Sequence, residues 1–297
     1  MDGVLIIDKP AGPTSHDVVA HVRRIFNTRK VGHTGTLDPF ATGVMTVLVG
    51  KATRLARFVD KDVKEYEAAL RFGLATDTGD LTGEPVGEPQ RHNITAAEID
   101  NVLDRFHGEI MQVPPMYSAK KVDGKKLYEL ARRGEEIERP AVPVTIRKIE
   151  VISGGHEPSG IQRLRVRCSA GTYIRTLAED IAKALGTAAH LTELRRTASG
   201  QFSLVQSVTL DALSEAGEPS EYMLPVEMLV EHLPRFVLTQ DRVQKTLDGM
   251  STRVFDRTFD AAETVAMFSP KDKLVAVGTY HADENSIRPT LVLGGSK

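Results

Sequence analysis

Residues 33–55 read HTGTLDPFATGVMTVLVGKATRL. The first half is a loop punctuated by glycines and a proline; the second half, from 44 to 50, is an apolar run of strand character. A single carboxylate, Asp38, sits in that loop. Over residues 18–57 it is the one acid against seven bases: Arg23, Arg24, Arg29, Lys30, Lys51, Arg54 and Arg57. Pro39 restricts Asp38 to extended backbone. Gly32, Gly35 and Gly43 permit tight turns and close approach of a ligand to the main chain. Thr34, Thr36 and Thr42 offer hydroxyls for local hydrogen bonds. The pattern predicts a rigid, ligand-accessible carboxylate kept ionised by a positive field, suited to act as a nucleophile or base. An ordinary Asp-Pro turn paired with an arginine would have the same composition.

The rest of the chain bounds what that carboxylate can do. The 297 residues are 41% hydrophobic and 26% charged, enough for a sizeable core and for two domains. No apolar run approaches the length of a membrane span. The N-terminus carries an acid where a signal peptide would carry bases. The single cysteine, Cys168, excludes an intrachain disulfide, and a reducing, cytoplasmic setting is expected. The net charge of −2 hides an asymmetry. Arg163, Arg165, Arg167 and Arg175 fall in an acid-free stretch, and 209–234 holds six acids and no base. Such a distribution suits a polyanion groove, or acidic and basic segments that pair across the fold. Competing chemistries fail on spacing. GKAT (50–53) lacks the upstream glycine and the Lys-Ser/Thr pair of a phosphate loop. Gly-x-Ser-x-Gly is absent, the nine histidines are scattered, and Asp38 has no acid within twenty residues on either side for a glycosidase pair.

Periodicity predicts a mixture of strands and helices. GVLIID (3–8) reads as a strand ended by KPAGPTS; Ser15 is the expected N-cap of a helix whose stripe is Val18, Val19, Val22, Ile25 and Phe26. YEAALRFG (66–73) alternates, with Tyr66, Ala68, Leu70 and Phe72 on one face. A helix is expected from about Ala96, another over KKLYELARRG (125–134), an alternating strand over 163–171, and a helix ending at Gly186. Tyr173 and Arg175, two apart, point the same way if their stretch is extended. Beyond the acidic connector at 211–232, the runs RFVL, TVAMF, KLVAVGTY and PTLVL predict a small β-rich domain.

Taken in order, these segments resemble the TruB family of tRNA pseudouridine synthases. HTGTLDPFATGVMTVLVGKATRL is similar to its signature and KPAGPTS (9–15) to its N-terminal motif. YEAALRFGLATDTGD (66–80) is similar to its tyrosine motif, and PPMYSAKKVDGKKLYELARRG (114–134) to its RNA-contacting insertion. CSAGTYIRTLAEDIAKALG (168–186) and AHLTELRRTASGQF (189–202) are similar to its later catalytic motifs. The resemblance covers nearly all of residues 1–210 and is faint over 235–297. It implies an α+β fold: a central mixed, mainly antiparallel sheet flanked by helices and loops over 1–232, with an RNA-contacting insertion at 114–142. A small PUA-like C-terminal domain is implied over 233–297.

It also implies a reaction: the T-loop uridine at position 55 of tRNA is flipped out, its glycosidic bond is broken, and the base is rejoined through carbon. No metal or cofactor is required. By the same resemblance Asp38 is the catalytic aspartate, Tyr66 the active-site tyrosine and Arg175 the arginine that pairs with Asp38 as a bidentate fork, lowering its pKa. Tyr173 and Leu194 bound the base pocket, His33 fills the space left by the flipped base, and Lys9 supports the loop from behind. Arg23, Arg24, Lys120, Lys121, Lys125, Lys126, Arg132 and Arg133 are candidate phosphate contacts. The implied partner is the tRNA T-arm, with no obligate protein partner and no membrane; a monomer of the stand-alone bacterial type is expected. A synthase acting on another RNA and an RNA-folding protein independent of catalysis are the alternative readings.

Overall fold

The structure is a computed structural model. It describes residues 1–59, 63–118, 120–122, 124–152, 160–255 and 259–294, without the side chains of Lys121 and Lys126. The strands of the larger sheet are β1 Gly3–Lys9, β2 Val31–His33, β3 Thr42–Val49, β4 Lys64–Phe72, β5 Gly108–Gln112, β6 Val142–Val151, β7 Ile161–Cys168, β8 Ala189–Ser199, β9 Phe202–Ser203 and β10 Val208–Thr209. They run in the order β10-β1-β3-β8-β4-β7-β6-β5, with β2 added to β3 and β9 to β8. Among the described residues only the β1–β10 and β3–β8 pairs of this sheet are parallel, so the sheet is mixed and mainly antiparallel. The helices are α1 Ser15–Ile25, α2 Ala96–Leu103, α3 Leu127–Ala131, α4 Ile174–Ala184, α5 Leu210–Glu215 and α6 Gln240–Leu247. No described helix is long and apolar enough to cross a membrane.

The central strands are apolar on both faces because both faces are covered. Leu5, Ile7, Met45, Val47 and Val49 meet Val18, Val19 and Val22 of α1 and Leu213 of α5. The alternate residues Val4, Ile6, Val44 and Leu48 turn the other way. They pack on a second sheet made of β11 Arg235–Val237, β12 Thr252–Arg253, β13 Thr264–Phe268, β14 Leu274–His281 and β15 Ser286–Val292, ordered β11-β13-β14-β15-β12. Ala266, Phe268, Leu274, Val277 and Leu291 of that sheet share one buried cluster with β1 and β3. Arg54 and Arg57 donate to its carbonyls at Val292 and Thr290. On the far half of the larger sheet, α2 and α4 cover β4, β7 and β8 through Ile99, Leu177, Ala178 and Ile181.

Three local expectations are corrected. The N-cap of α1 is Thr14, whose hydroxyl accepts from the Asp17 amide in a capping box, while Ser15 is buried and bonded elsewhere. The helix expected over 125–134 is the shorter α3, because Lys125 and Lys126 pair with Lys121 and Val122 in a ribbon. The segment holding Tyr173 and Arg175 is a helix start: Tyr173 is the N-cap of α4 and Arg175 lies in its first turn.

Candidate active site

The loop from Thr34 to Ala41 leaves the end of β2 and returns into β3, and its main chain is gripped from three sides. The buried Lys9 ammonium donates to the carbonyls of Pro10, Pro39 and Ala41 at 2.8, 3.1 and 2.8 Å. The Ser15 hydroxyl accepts from the Leu37 amide at 2.9 Å and donates to the Leu37 carbonyl at 3.1 Å. The Arg196 guanidinium donates to the carbonyls of Val44, Thr36 and Gly35 at 2.7, 3.2 and 3.2 Å. Burial is the main reason the Lys9 pKa falls to about 8. The loop re-enters the sheet at Gly43, where φ is +101° and a Cβ would stand 2.2 Å from the Arg196 carbonyl oxygen. No other residue fits there, which accounts for the glycine beside an otherwise apolar strand.

So held, Asp38 opens into a cavity of ≈ 310 Å³. Asp38, Tyr66, Tyr173, Arg175, Leu194 and Arg196 contribute to its walls. Asp38 Oδ2 receives Arg175 Nε at 3.0 Å. The remaining guanidinium nitrogens are otherwise engaged: Nη1 donates to the Thr78 carbonyl at 2.7 Å, with Asp80 Oδ2 at 3.7 Å, and Nη2 donates to the Tyr117 carbonyl at 2.7 Å. The bidentate pairing with Asp38 is therefore corrected to a single contact through Nε. Arg175 is 4% exposed and reads the turn at 78–80 as well as the carboxylate. Asp80 is itself fixed, accepting from the Thr82 amide and from the hydroxyls of Thr78 and Thr82.

The electrostatic expectation for Asp38 is also corrected. Its side chain keeps 32% of its surface, at the cavity mouth, yet the atoms packed around it make burial the dominant influence and raise its pKa above the ordinary carboxylate range. Arg175 pulls it down without overcoming that effect, and Asp80 adds to the rise. The bases adjacent in sequence do not supply the field, because several are turned away: Arg23 donates to the Val31 carbonyl, and Arg54 and Arg57 are committed to the second sheet.

Tyr66 lies on β4 with its ring buried among Ala68, Leu164, Val166 and Leu194. Burial raises the pKa of its hydroxyl, and Arg196 is the strongest influence in the other direction. Tyr173 is half-buried at the start of α4, its amide accepted and its carbonyl capped by the Gln112 side chain. Leu194 is buried one strand from Tyr66. His33 ends β2 outside the cavity lining, edge-on to His16 at 5.9 Å between ring centres. Burial, then His16 and Arg196, lower its pKa. Among the described residues no cluster of His, Cys, Asp and Glu could hold a metal ion.

The candidate phosphate contacts are spread more widely. Arg23 and Arg24 are exposed on α1, and Lys125, Arg132 and Arg133 are exposed around α3, with Arg132 over the Tyr128 ring. Lys120 is half-buried. The side chains of Lys121 and Lys126 lie outside the described residues. The arginine run of β7 belongs to a different surface: Arg163 pairs with Glu193, and Arg165 with Glu67 and Glu150. There Arg163 and Arg165 pair with acids across the sheet.

Residues 23–174 match the model of the TruB family pseudouridylate synthase N-terminal domain, and residues 175–231 that of the tRNA pseudouridylate synthase B C-terminal domain. The chain is 42% identical over 306 residues to tRNA pseudouridine synthase B of Bacillus pumilus, covering 100% of this chain and 99% of that protein. It is 39% identical over 302 residues to the protein of the same name from Bacillus subtilis, covering 99% and 98%. Among solved structures it is similar to a chain of an H/ACA RNP bound to a substrate RNA containing 2′-deoxyuridine, with a TM-score of 0.75, 29% identity and coverage of 99% and 85%. It is also similar to a chain of a Cbf5-Nop10-Gar1 complex, with a TM-score of 0.72, 30% identity and coverage of 99% and 84%.

Proposed function

The chain belongs to the TruB family of pseudouridylate synthases, and from that premise we propose that it converts the T-loop uridine of tRNA, position 55, to pseudouridine. The substrate choice follows identity: full-length relatives named for tRNA stand at 39–42%, against 29–30% for the neighbours titled as ribonucleoproteins. It acts alone in this proposal, without a guide RNA or protein partner.

The observation that carries the chemistry is the Asp38–Arg175 contact at 3.0 Å at the mouth of a cavity bounded by Tyr66, Tyr173 and Leu194. The uridine is extruded from the folded loop at about a few kcal/mol, offset by stacking inside the cavity and phosphate contacts outside it. Tyr66 and Tyr173 supply aromatic surface for the uracil and Leu194 an apolar wall. Asp38, oriented by Arg175 and by the Lys9, Ser15 and Arg196 grips on its loop, acts on the sugar–base bond. As the base turns and C5 bonds to the sugar, the C5 proton departs, and Tyr66, in the cavity wall, moves it. His33, at the rim, supports the opened RNA. Arg23, Arg24, Lys120, Lys121, Lys125, Lys126, Arg132 and Arg133 engage phosphates, so affinity falls steeply with salt.

The test is incubation with an unmodified T-arm RNA, followed by chemical detection of pseudouridine at that uridine. Product is expected from the wild type and none from Asp38→Asn, with RNA affinity changed by less than about threefold. Product from the variant comparable to wild type would remove Asp38 from the chemistry, and no product from the wild type would remove the substrate assignment.

A further inference from the structure

Arg196 is 2% exposed and sits where three strands meet: it faces Tyr66 across the β8–β4 pair and Gly43 across the β8–β3 pair. Its hydrogen bonds in the loop all go to neutral main-chain carbonyls, and among the described residues no carboxylate forms an ion pair with it. A buried guanidinium without an anion is costly, and a hydrophobic residue of similar size would fill the same volume without that cost. Its charge reaches three groups around the cavity, opposing protonation of Lys9 and His33 and favouring ionisation of Tyr66.

We propose that Arg196 is a positioning residue that holds the Asp38 loop against Tyr66 and supplies the positive charge on which the Tyr66 hydroxyl depends as a proton carrier. This rests on the pseudouridine synthase reading above. In the step concerned, the Tyr66 proton has passed to solvent. The C5–H bond of the rearranged base then breaks, its electron pair returns to the ring, and the proton forms the O–H bond of Tyr66. The Arg196 guanidinium stabilises the phenolate in between. A purely structural arginine would hold the three carbonyls and leave the acidity of Tyr66 without consequence. Pairing Arg196 with a carboxylate would neutralise the field that this role needs, which accounts for main-chain carbonyls as its partners in the loop.

Two substitutions separate charge from hydrogen bonding. Arg196→Gln keeps donors and loses charge; Arg196→Lys keeps charge and loses the planar spread of donors. The readout is single-turnover release of tritium from a T-arm RNA carrying 5-tritiated uridine, measured from about pH 6 to pH 10 around the tyrosine range. Arg196→Gln is expected to lose about 100-fold near neutral pH and to recover as pH rises, its profile displaced upward, with RNA affinity within about threefold of wild type. Arg196→Lys is expected to lose rate with its profile in the wild-type position. A Gln profile superimposable on wild type, or a Lys profile displaced as far as Gln, overturns the proposal. Should thermal unfolding show that neither variant folds, 3-fluorotyrosine at position 66 in the otherwise unchanged protein makes the phenol more acidic. The profile then moves to lower pH, and an unmoved profile overturns the proposal. Absence of tritium release from the wild type on this RNA would instead remove the underlying functional reading.

Discussion

Replacing Arg175 by lysine keeps a positive charge and removes a geometry. The guanidinium reaches Asp38 through Nε at 3.0 Å, the Thr78 carbonyl through Nη1 at 2.7 Å and the Tyr117 carbonyl through Nη2 at 2.7 Å. At 4% exposure the Arg175 side chain is shielded from bulk water. A lysine has one nitrogen and cannot stand at three places. If the ammonium stays with Asp38, two carbonyls lose their donor, at about 1–3 kcal/mol each. If it moves to the carbonyls, Asp38 loses a charge-assisted bond of about 1.5–3 kcal/mol. At about 1.4 kcal/mol per tenfold in rate, that is about 10- to 150-fold in turnover. We expect Arg175→Lys to lower the rate by about 100-fold and the urea midpoint of unfolding together, since the three bonds come from one rigid group. The assay is single-turnover tritium release at saturating enzyme, well below the unfolding temperature, with urea denaturation in parallel. A rate within about threefold of wild type with an unchanged midpoint would refute the argument, because it would mean that the spread of donors is not what matters.

Because burial raises the folded-state pKa of Asp38, the folded state binds its proton more tightly than the unfolded chain, and stability is lost as pH rises from about 4 through the folded pKa. Asp38→Asn should therefore melt above wild type at pH 7, by about 1.4 kcal/mol per unit of elevation, with the difference closing below about pH 4 in calorimetry; a lower melting temperature at pH 7 contradicts this. Gly43→Ala forces a Cβ to 2.2 Å from the Arg196 carbonyl at φ +101°, and should cost at least about 3 kcal/mol in denaturant unfolding while disordering the Asp38 loop. Ending the chain after His232 uncovers Val4, Ile6, Val44, Leu48, Leu55 and Phe202. At about 1.5–3 kcal/mol per large apolar side chain, the loss rivals the whole stability of a domain. The truncated protein should be insoluble or expanded by circular dichroism and light scattering, and a soluble, active fragment would contradict the shared core.

The main elements were legible because their signals are local. The buried run of β3, the alternation of β4 and the stripe of α1 are periodicities that packing then used. What was not legible depends on partners far apart in the chain. Ser15 has the chemistry of an N-cap, yet Thr14 takes that place because Asp17 completes its capping box, which frees Ser15 to hold Leu37. Arg196 carries no sequence signal of importance: it is one of two adjacent arginines, and Arg195 beside it makes an ordinary ion pair with Asp8. Only strand register decides that Arg195 turns outward and Arg196 turns into the cavity. The i, i+2 spacing of Tyr173 and Arg175 was read for a strand, whereas the glutamine at 112 caps a helix start there and brings both to the cavity by another geometry.

The same long-range logic explains the lone acid in a basic stretch. The sequence alone assigns to the neighbouring bases the field that keeps Asp38 ionised. In the fold three of those seven bases serve main-chain carbonyls: Arg23 closes α1 onto β2, and Arg54 and Arg57 fasten the second sheet. A carbonyl acceptor leaves a cation's charge uncompensated, so a loop gripped by Lys9 and Arg196 through carbonyls is both rigid and positive. An acid in such a loop needs only one direct partner, and any further carboxylate nearby would compete for it, as Asp80 does for Arg175. The scarcity of acids around Asp38 is thus what the site requires. The cations set the loop, and Arg175, from the first turn of α4, sets the direction in which the carboxylate points.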